Sequence, residues 1–151
     1  MAQEVMADEL KSSGKMPITS KSQLIDWIAS GASSPQDWRI GTEHEKFLFM
    51  RDDHRRPSYE EENGVGELLR RLVHELDGTP IMEGDNIIGV KEKNGGSLTL
   101  EPGGQFELSG APLETLHETC SETSTHLRVM QKITQNLGMG MLGVGYDPLW
   151  K

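Results

Sequence analysis

The sequence predicts an α+β protein in which an antiparallel sheet carries helices on one face. Segments with helical periodicity alternate along the chain with segments in which every second residue is apolar. Between two of the strand-like segments, Asn94-Gly95-Gly96 is a strong signal for a hairpin turn, and hairpins join antiparallel strands. When helices cover one face of such a sheet, the other face is left to face solvent or a ligand.

The bulk composition limits the partners that the chain can take. The 151 residues suffice for about one domain, and the formal net charge is −9. An acidic protein repels nucleic-acid backbones and anionic membranes, so neither is predicted as a partner. No apolar run approaches membrane-spanning length, and the single cysteine, Cys120, has no partner for an internal disulfide. A cytoplasmic protein is therefore expected.

The predicted elements begin after a polar lead-in, which is expected to be flexible over residues 1–18, so that the folded domain covers 19–151. Ser20 and Gln23 have the spacing of a capping box at the start of a short helix. The segment from Trp38 to Met50 reads as a strand, and the charged residues 51–64 read as a surface loop.

A second helix is predicted from Gly64 to Asp77, with Gly78 as its C-terminal cap. Four strand-like segments follow, and the turn at Pro102-Gly103-Gly104 separates the last two. The longest helix is predicted over 112–137, opened by Pro112 and ended by Gly138, and a last strand follows it. The strand-like segments are "IMEGD", "IIGVKEK", "SLTLE", "QFELSG" and, after the long helix, "MGMLGVGYDPLW".

Glutamates interrupt the strand pattern in two places. In "IGTEHEKFLF", Glu43 and Glu45 are two residues apart and therefore leave the same side of a strand. In "LEPGGQFELSG", Glu101 and Glu107 lie on the polar side of their segments, together with Gln105. If both segments belong to one antiparallel sheet, the four carboxylates converge on one face.

Four carboxylates in so small an area repel one another unless a cation neutralises them. Mg²⁺ or Mn²⁺ fits, because these hard cations prefer oxygen ligands. The alternative is that the glutamates are merely solvated, as is common on the exposed face of an antiparallel sheet.

Other residues with reactive side chains are less indicative of a site. His44 points away from Glu43 and Glu45, which favours a packing role. His117 and His126 are nine residues apart on the long helix, a spacing that does not suit a shared metal. Cys120 falls on the apolar stripe of that helix and is predicted to be a buried thiol. "GMGMLGVG" lacks the lysine and the following helix of a phosphate-binding loop.

Three stretches together resemble the N-terminal part of glutamate–cysteine ligase, in the branch shared by plants and proteobacteria. They are "RIGTEHEKF", "LEPGGQFELSGAPLETLHETC" and "LGMGMLGVGYDP", and the resemblance runs from about Ile18 to the last residue. A plain methionine start without a transit-like leader favours a bacterial source.

The resemblance implies an ATP-dependent ligase that joins the γ-carboxylate of glutamate to the amine of cysteine, the first step of glutathione synthesis. It implies a partial funnel of the glutamine synthetase type, in which strand glutamates hold Mg²⁺ (or Mn²⁺) around the phosphates of ATP. By motif position the metal ligands here are Glu43, Glu45, Glu101 and Glu107, and Gln105 lies beside the substrate glutamate. The implied reaction passes through an acyl phosphate.

Family members are longer, so the resemblance also implies that this chain is an N-terminal portion, inactive by itself, with apolar surface that invites self-association. In some plant members cysteine pairs form a redox switch, and Cys120 lies near one such position without its partner. Two alternatives stay open: a non-catalytic module that binds a divalent cation or a protein, and a carboxylate–amine ligase of the same fold with another acceptor.

Overall fold

A computed structural model describes residues 17–149 of the chain. The chain divides into two compact units, Met1–Trp38 and Arg39–Lys151. The expected lead-in over residues 1–18 lies almost entirely outside the described residues.

In the first unit, helix α1 spans Lys21–Ala29, as the sequence predicted. The Ser20 hydroxyl accepts a hydrogen bond from the Gln23 amide, while the Gln23 side chain accepts from the backbone of Ser20, so the predicted capping box is present. A short 3₁₀ helix follows at Pro35–Asp37.

The second unit contains two longer helices and six strands among the described residues. In chain order these are β1 (Glu43–Met50), α2 (Val65–Glu75), β2 (Thr79–Glu83), β3 (Asn86–Lys91), β4 (Ser97–Leu100), β5 (Gln105–Ser109), α3 (Leu116–Asn136) and β6 (Met139–Leu142). Residues 51–64 form turns rather than regular structure, as expected of the charged loop. Between residues 17 and 149, no helix has both the length and the apolar character needed to cross a membrane.

The six strands form one sheet in the order β2-β3-β4-β5-β1-β6, and every neighbouring pair is antiparallel. The predicted α+β class is therefore confirmed. Strand β1 comes first along the chain but lies between β5 and β6, so the two glutamate-bearing segments, β1 and β5, are direct neighbours. This adjacency is what the convergence of the carboxylates required.

Helices α2 and α3 cover one face of the sheet and enclose the core. Leu68, Leu69 and Leu72 from α2 are fully buried, as are Met130 from α3 and Phe106 from β5. Each such side chain contributes roughly 1.5–3 kcal/mol by leaving water. The apolar alternation of β4 and β5 is satisfied on this face, which leaves their polar side chains on the other.

Helix α3 begins later than predicted, after Thr115 rather than at Pro112. Leu113 is held in extended backbone by paired hydrogen bonds with Ile40. The Thr115 side chain then forms a capping box with Glu118. The amides of a first helical turn have no partner within the helix, and a capping side chain satisfies them. Thr115 provides this cap, whereas a helix cannot begin at Pro112 because the next residue, Leu113, is extended and paired with Ile40.

The C-terminal end of α2 also differs from the prediction. Asp77, not Gly78, takes up the left-handed conformation there, with φ of 47°. Gly78 is required for space instead, because a Cβ at this position would lie 2.5 Å from Cγ1 of Val90. The glycine thus allows the chain to pass close over β3.

Cys120 is exposed, so the prediction of a buried thiol is wrong. The buried residues of α3 begin only at His126, whereas Leu116 near its start is 73% exposed. The apolar stripe of the long helix is therefore used only in its C-terminal half. The last strand is also shorter than predicted and ends at Leu142.

Candidate functional site

The face of the sheet opposite the helices carries the glutamates that the sequence singled out. Strand register places Glu45 of β1 directly opposite Glu107 of β5, and Glu43 opposite Ser109. On the other side of β5, Thr99 of β4 pairs with Glu107. Glu107 is therefore the middle residue of a row that crosses three strands.

Three of the four glutamates already accept side-chain hydrogen bonds on this face, and Glu107 accepts its bond from the Ser109 hydroxyl at 3.5 Å. The Gln105 Nε2 donates to Oε2 of Glu45 at 2.8 Å, which joins β5 to β1. The Thr99 hydroxyl donates to Oε1 of Glu101 at 2.7 Å. Gln105, which the resemblance placed beside the substrate, thus lies among the carboxylates and contacts one of them.

The electrostatics of the face show that Glu107 is affected by the other three carboxylates. Burial is the first cause that raises the pKa of the half-buried Glu107 carboxyl above its ordinary value. Repulsion by its acidic neighbours is the next cause, and those neighbours are Glu101, Glu43 and Glu45. A shared negative potential of this kind attracts a cation.

Between residues 17 and 149, no group of three or more His, Cys, Asp and Glu side chains is arranged to hold a metal ion. The carboxylates of Glu45 and Glu101 face their hydrogen-bond partners Gln105 and Thr99 instead. The donors themselves suit Mg²⁺ or Mn²⁺, since these cations take carboxylate oxygens, and the raised pKa of Glu107 indicates a charge that a cation would neutralise. Binding at this face would require the side chains to turn toward one another.

An open groove of about 500 Å³ runs beside this face. It is lined by Glu43 and Glu45 on one side and by the chain from Gly143 to Gly145 on the other. The segment from Gly143 to Gly145 is the end of "GMGMLGVG". Its glycines do not make a phosphate-binding loop, but they leave this side of the groove without bulky side chains.

The comparison with known families decides which family the fold and the glutamate-bearing strands belong to. The model of glutamate–cysteine ligase family 2 matches residues 39–151. The chain belongs to this family. The match covers the whole sheet and both long helices, so every residue of the carboxylate face falls inside family 2 sequence.

Individual members of family 2 agree with this assignment. The chain is 50% identical over 135 residues to the chloroplastic glutamate–cysteine ligase of Medicago truncatula, an alignment that covers 89% of the chain and 26% of that enzyme. Identity is 49% over 134 residues with the enzyme of Nicotiana tabacum and 45% over 135 residues with that of Arabidopsis thaliana. In each of these cases the chain spans about a quarter of the relative's length.

The same relatives correct the expected location. They are named chloroplastic, so the prediction of a cytoplasmic protein is wrong and the relatives point to the plastid. The prediction rested on the first residues and on the lone cysteine. A targeting segment is read by a receptor and leaves no trace in the pattern of a folded domain, so neither feature reports the compartment.

Behind the carboxylate face, on the helix side of β1, the structure reveals a basic residue that sequence reasoning missed. Lys46 is 1% exposed, and its Nζ donates to the backbone oxygen of His44 at 2.9 Å. Burial lowers the pKa of Lys46 to about 8, against the attraction of Glu107. The period-2 pattern of β1 puts Lys46 on the same face as the buried Leu48, which was the available signal.

Two residues of α3 line the same buried region. The ring of His126 lies edge-on to that of His44 with centroids 5.9 Å apart, and one turn earlier Oε1 of Glu122 accepts from the Ala111 amide at 2.8 Å. Glu122 thereby holds the chain immediately after β5. Helix α3 thus contacts β1 through a ring contact and the chain just after β5 through a hydrogen bond.

Proposed function

We propose that this chain supplies the metal-binding sheet of a plastid glutamate–cysteine ligase, with Glu43, Glu45, Glu101 and Glu107 as ligands of Mg²⁺ or Mn²⁺. The observation that carries the proposal is the gathering of carboxylates around Glu107, whose pKa is raised first by burial and then by repulsion from Glu101, Glu43 and Glu45. Membership of family 2 supplies the reaction class and implies ATP as co-substrate.

The proposed reaction joins the γ-carboxylate of glutamate to the amine of cysteine. The γ-carboxylate attacks the γ-phosphorus of ATP, ADP leaves, and the cysteine amine then displaces phosphate from the resulting acyl phosphate. When bound, the divalent cations neutralise the charge on the phosphate oxygens.

The protein carboxylates in this proposal bind and orient, and none of them forms a covalent bond. The hydrogen bond from Gln105 to Glu45 fixes an amide beside the proposed ligands, where it can orient the substrate glutamate. The buried Lys46 lies on the helix side of β1, where the charge of Glu107 partly offsets the lowering of the Lys46 pKa by burial.

We further propose that the 151 residues do not turn over substrate by themselves. With 24 acidic and 15 basic residues, the chain offers few cationic groups to hold phosphates and substrate carboxylates. It also spans only about a quarter of its relatives, so the groups that complete the site are expected in sequence that corresponds to the remainder.

The test is release of ADP by the gene product that carries this sequence, measured with glutamate and cysteine and compared with glutamate and other amines. We expect Mg²⁺-dependent release with cysteine. Release with a different amine would instead identify another carboxylate–amine ligase, and no release with any amine would favour a non-catalytic module.

Substitutions test the ligand assignment in the same assay. Glu43→Gln and Glu107→Gln should each abolish Mg²⁺-dependent turnover while circular dichroism shows a folded protein. Glu62→Gln is the matched control, because Glu62 is exposed in the charged loop away from the sheet. Full turnover in both ligand variants would refute the assignment.

A further inference from the structure

The chain immediately after β5 is bonded on one side to α3 and on the other to the start of β1. Oε1 of Glu122 accepts from the Ala111 amide at 2.8 Å. The preceding amide, that of Gly110, donates to the backbone oxygen of Thr42 at 2.6 Å. Thr42 directly precedes Glu43, the first residue of β1. Two consecutive amides therefore connect a helix side chain with the residue before a proposed metal ligand.

The glycine at position 110 allows the Glu122 carboxylate to lie directly against the backbone. A Cβ on Gly110 would be 2.3 Å from Oε2 of Glu122 and 3.0 Å from the Thr42 amide nitrogen. Gly110 continues the alternation by which β5 buries Phe106 and Leu108 on the helix side. Glu122 thus contacts the sheet from the side opposite the proposed ligands and can act on them only through the backbone.

The part of β1 that carries Glu43 depends on β5 for its position. Among the described strands, β5 alone pairs with the residues of β1 before Phe47, because β6 pairs only from Phe47 onward. Glu43 lies opposite Ser109, the last residue of β5, and the bond from Gly110 to Thr42 is the next step of this ladder. A shift of the chain after β5 would therefore move the backbone from which Glu43 projects.

The surroundings of Glu122 do not favour stability. Within the described part of the chain, its Oε2 atom is buried and has no hydrogen-bond partner. Burial raises the pKa of the Glu92 carboxyl, and the charge of Glu122 raises it further, so the two acids repel each other. A buried oxygen without a partner destabilises a fold. Departures of this kind are typical of residues that serve a functional site.

We propose that Glu122 is a positioning residue that fixes the start of β1, and with it the direction in which Glu43 meets a divalent cation. The inference rests on the proposed function, because it concerns the placement of one of the proposed ligands. Glu122 itself contacts neither the cation nor the substrates. Its carboxylate oxygen holds the Ala111 amide, and the hydrogen bond of the adjacent Gly110 passes the constraint to Thr42.

The experiment compares two substitutions of Glu122 in the gene product that carries this sequence, with calorimetry of Mn²⁺ binding as the measurement. Glu122→Ala should weaken binding about tenfold, as is typical when a group that supports a ligand is removed. Glu122→Gln should bind within about twofold of the unsubstituted protein, because its amide oxygen can still accept from Ala111. Both variants remove the negative charge, so equal weakening would show that Glu122 attracts the cation by charge and would refute the positioning role.

Hydrogen exchange of the metal-free protein tests the cause separately. The amides of Gly110 and Ala111 should exchange faster in Glu122→Ala than in the unsubstituted protein and should stay protected in Glu122→Gln. Unchanged exchange in Glu122→Ala would contradict the proposal. If Glu122→Ala does not fold, Glu122→Asp, which is shorter by one methylene, replaces it in every comparison.

Thr134→Ala is the matched control for a general loss of stability. Thr134 is buried on the same helix, and its hydroxyl donates to the Met130 oxygen at 2.8 Å, within α3. We expect this variant to unfold at lower urea concentration and to bind Mn²⁺ normally. If it weakens Mn²⁺ binding as much as Glu122→Ala does, loosening of the helix is sufficient and the specific role of Glu122 is refuted.

A double-mutant cycle tests whether the effect passes through Glu43. In the background of Glu43→Gln, Glu122→Ala should cause little further loss of Mn²⁺ affinity, because the group that it positions has already been altered. Additive losses would overturn the proposal.

The failure of the proposed function has a different signature. If the unsubstituted protein does not bind Mn²⁺, both the metal site and the positioning role are refuted. If Glu43→Gln weakens binding while Glu122→Ala leaves it unchanged, the metal site is supported and the positioning role alone is refuted.

Discussion

Glu45 and Glu107 lie directly opposite each other on neighbouring antiparallel strands. Like charges in this position destabilise a sheet, and the raised pKa of Glu107 shows that its ionised form is disfavoured here. An arrangement that opposes folding and yet adjoins two more carboxylates is typical of a site whose ligand compensates the repulsion. Removal of one of these carboxylates should therefore raise the stability of the metal-free chain and lower its affinity for a cation.

Glu107→Gln tests this opposition. In the presence of a chelator, the substitution should stabilise the chain by about 0.5–1 kcal/mol, because it removes one member of a like-charged cross-strand pair. It should also weaken Mn²⁺ binding at least tenfold, because it removes a carboxylate ligand. Urea unfolding measures the first effect and calorimetry the second.

Glu62→Gln serves as the control for the loss of one negative charge. It removes one negative charge, as Glu107→Gln does, but Glu62 lies in the loop over residues 51–64. The free energy of unfolding and the Mn²⁺ affinity should therefore stay near those of the unsubstituted chain. A Glu107→Gln variant that loses stability in chelator and still binds Mn²⁺ normally would contradict the ligand role.

The sequence was sufficient to predict the carboxylate face because its signal is local and periodic. A period of two fixes which side each glutamate leaves, and the break at Pro102-Gly103-Gly104 does not shift Gln105 and Glu107 off the polar side. What the pattern did not fix was strand order. That β1 pairs with β5 is a long-range contact, and it was assumed in the prediction rather than derived.

The residues that sequence reasoning missed depend on contacts between distant elements. Lys46 is buried in a region that His126 of α3 also lines, and Glu122 binds Ala111 because the helix returns over the chain just after β5. The error on Cys120 has the same origin. Its helical periodicity was correct, but only packing decides which half of a long helix lies against the sheet.

Gly110→Ala is expected to destabilise the chain. A Cβ at this position would lie 2.3 Å from Oε2 of Glu122 and 3.0 Å from the Thr42 amide nitrogen. Overpacking of this kind costs roughly 1–3 kcal/mol. Urea or thermal unfolding of the variant measures the loss.

Gly41→Ala is the matched control for this effect. Gly41 lies close to Gly110, but the nearest atom to its added Cβ would be 3.9 Å away, so the loss should be small. In a double-mutant cycle, Gly110→Ala should cost less in the background of Glu122→Ala, which removes the obstructing carboxylate. Equal losses for Gly41→Ala and Gly110→Ala, or strict additivity with Glu122→Ala, would show that the contact does not matter.

His126 predicts how the stability of the chain responds to acid. Burial is the main cause that lowers the pKa of His126 to about 3, followed by the charges of Lys46 and His44 on β1. The unfolded chain takes up this proton near pH 6.5, as an unperturbed histidine does, whereas the folded chain does not until about pH 3. Between these values the unfolded state binds more protons, so the free energy of unfolding falls as the pH falls.

His126→Gln should remove this part of the acid sensitivity. The variant is expected to be less stable at pH 7 because the buried ring contact with His44 is lost, yet its free energy of unfolding should decline less steeply from pH 6.5 downward. Between pH 6.5 and pH 3, the unsubstituted chain should lose a few kcal/mol more of its free energy of unfolding than the variant does, on the order set by about 1.4 kcal/mol per pKa unit. His117→Gln, exposed near the start of the same helix, should leave the slope unchanged. Parallel curves for His126→Gln and the unsubstituted chain in urea unfolding at several pH values would mean that His126 takes up its proton as readily in the folded state as in the unfolded one.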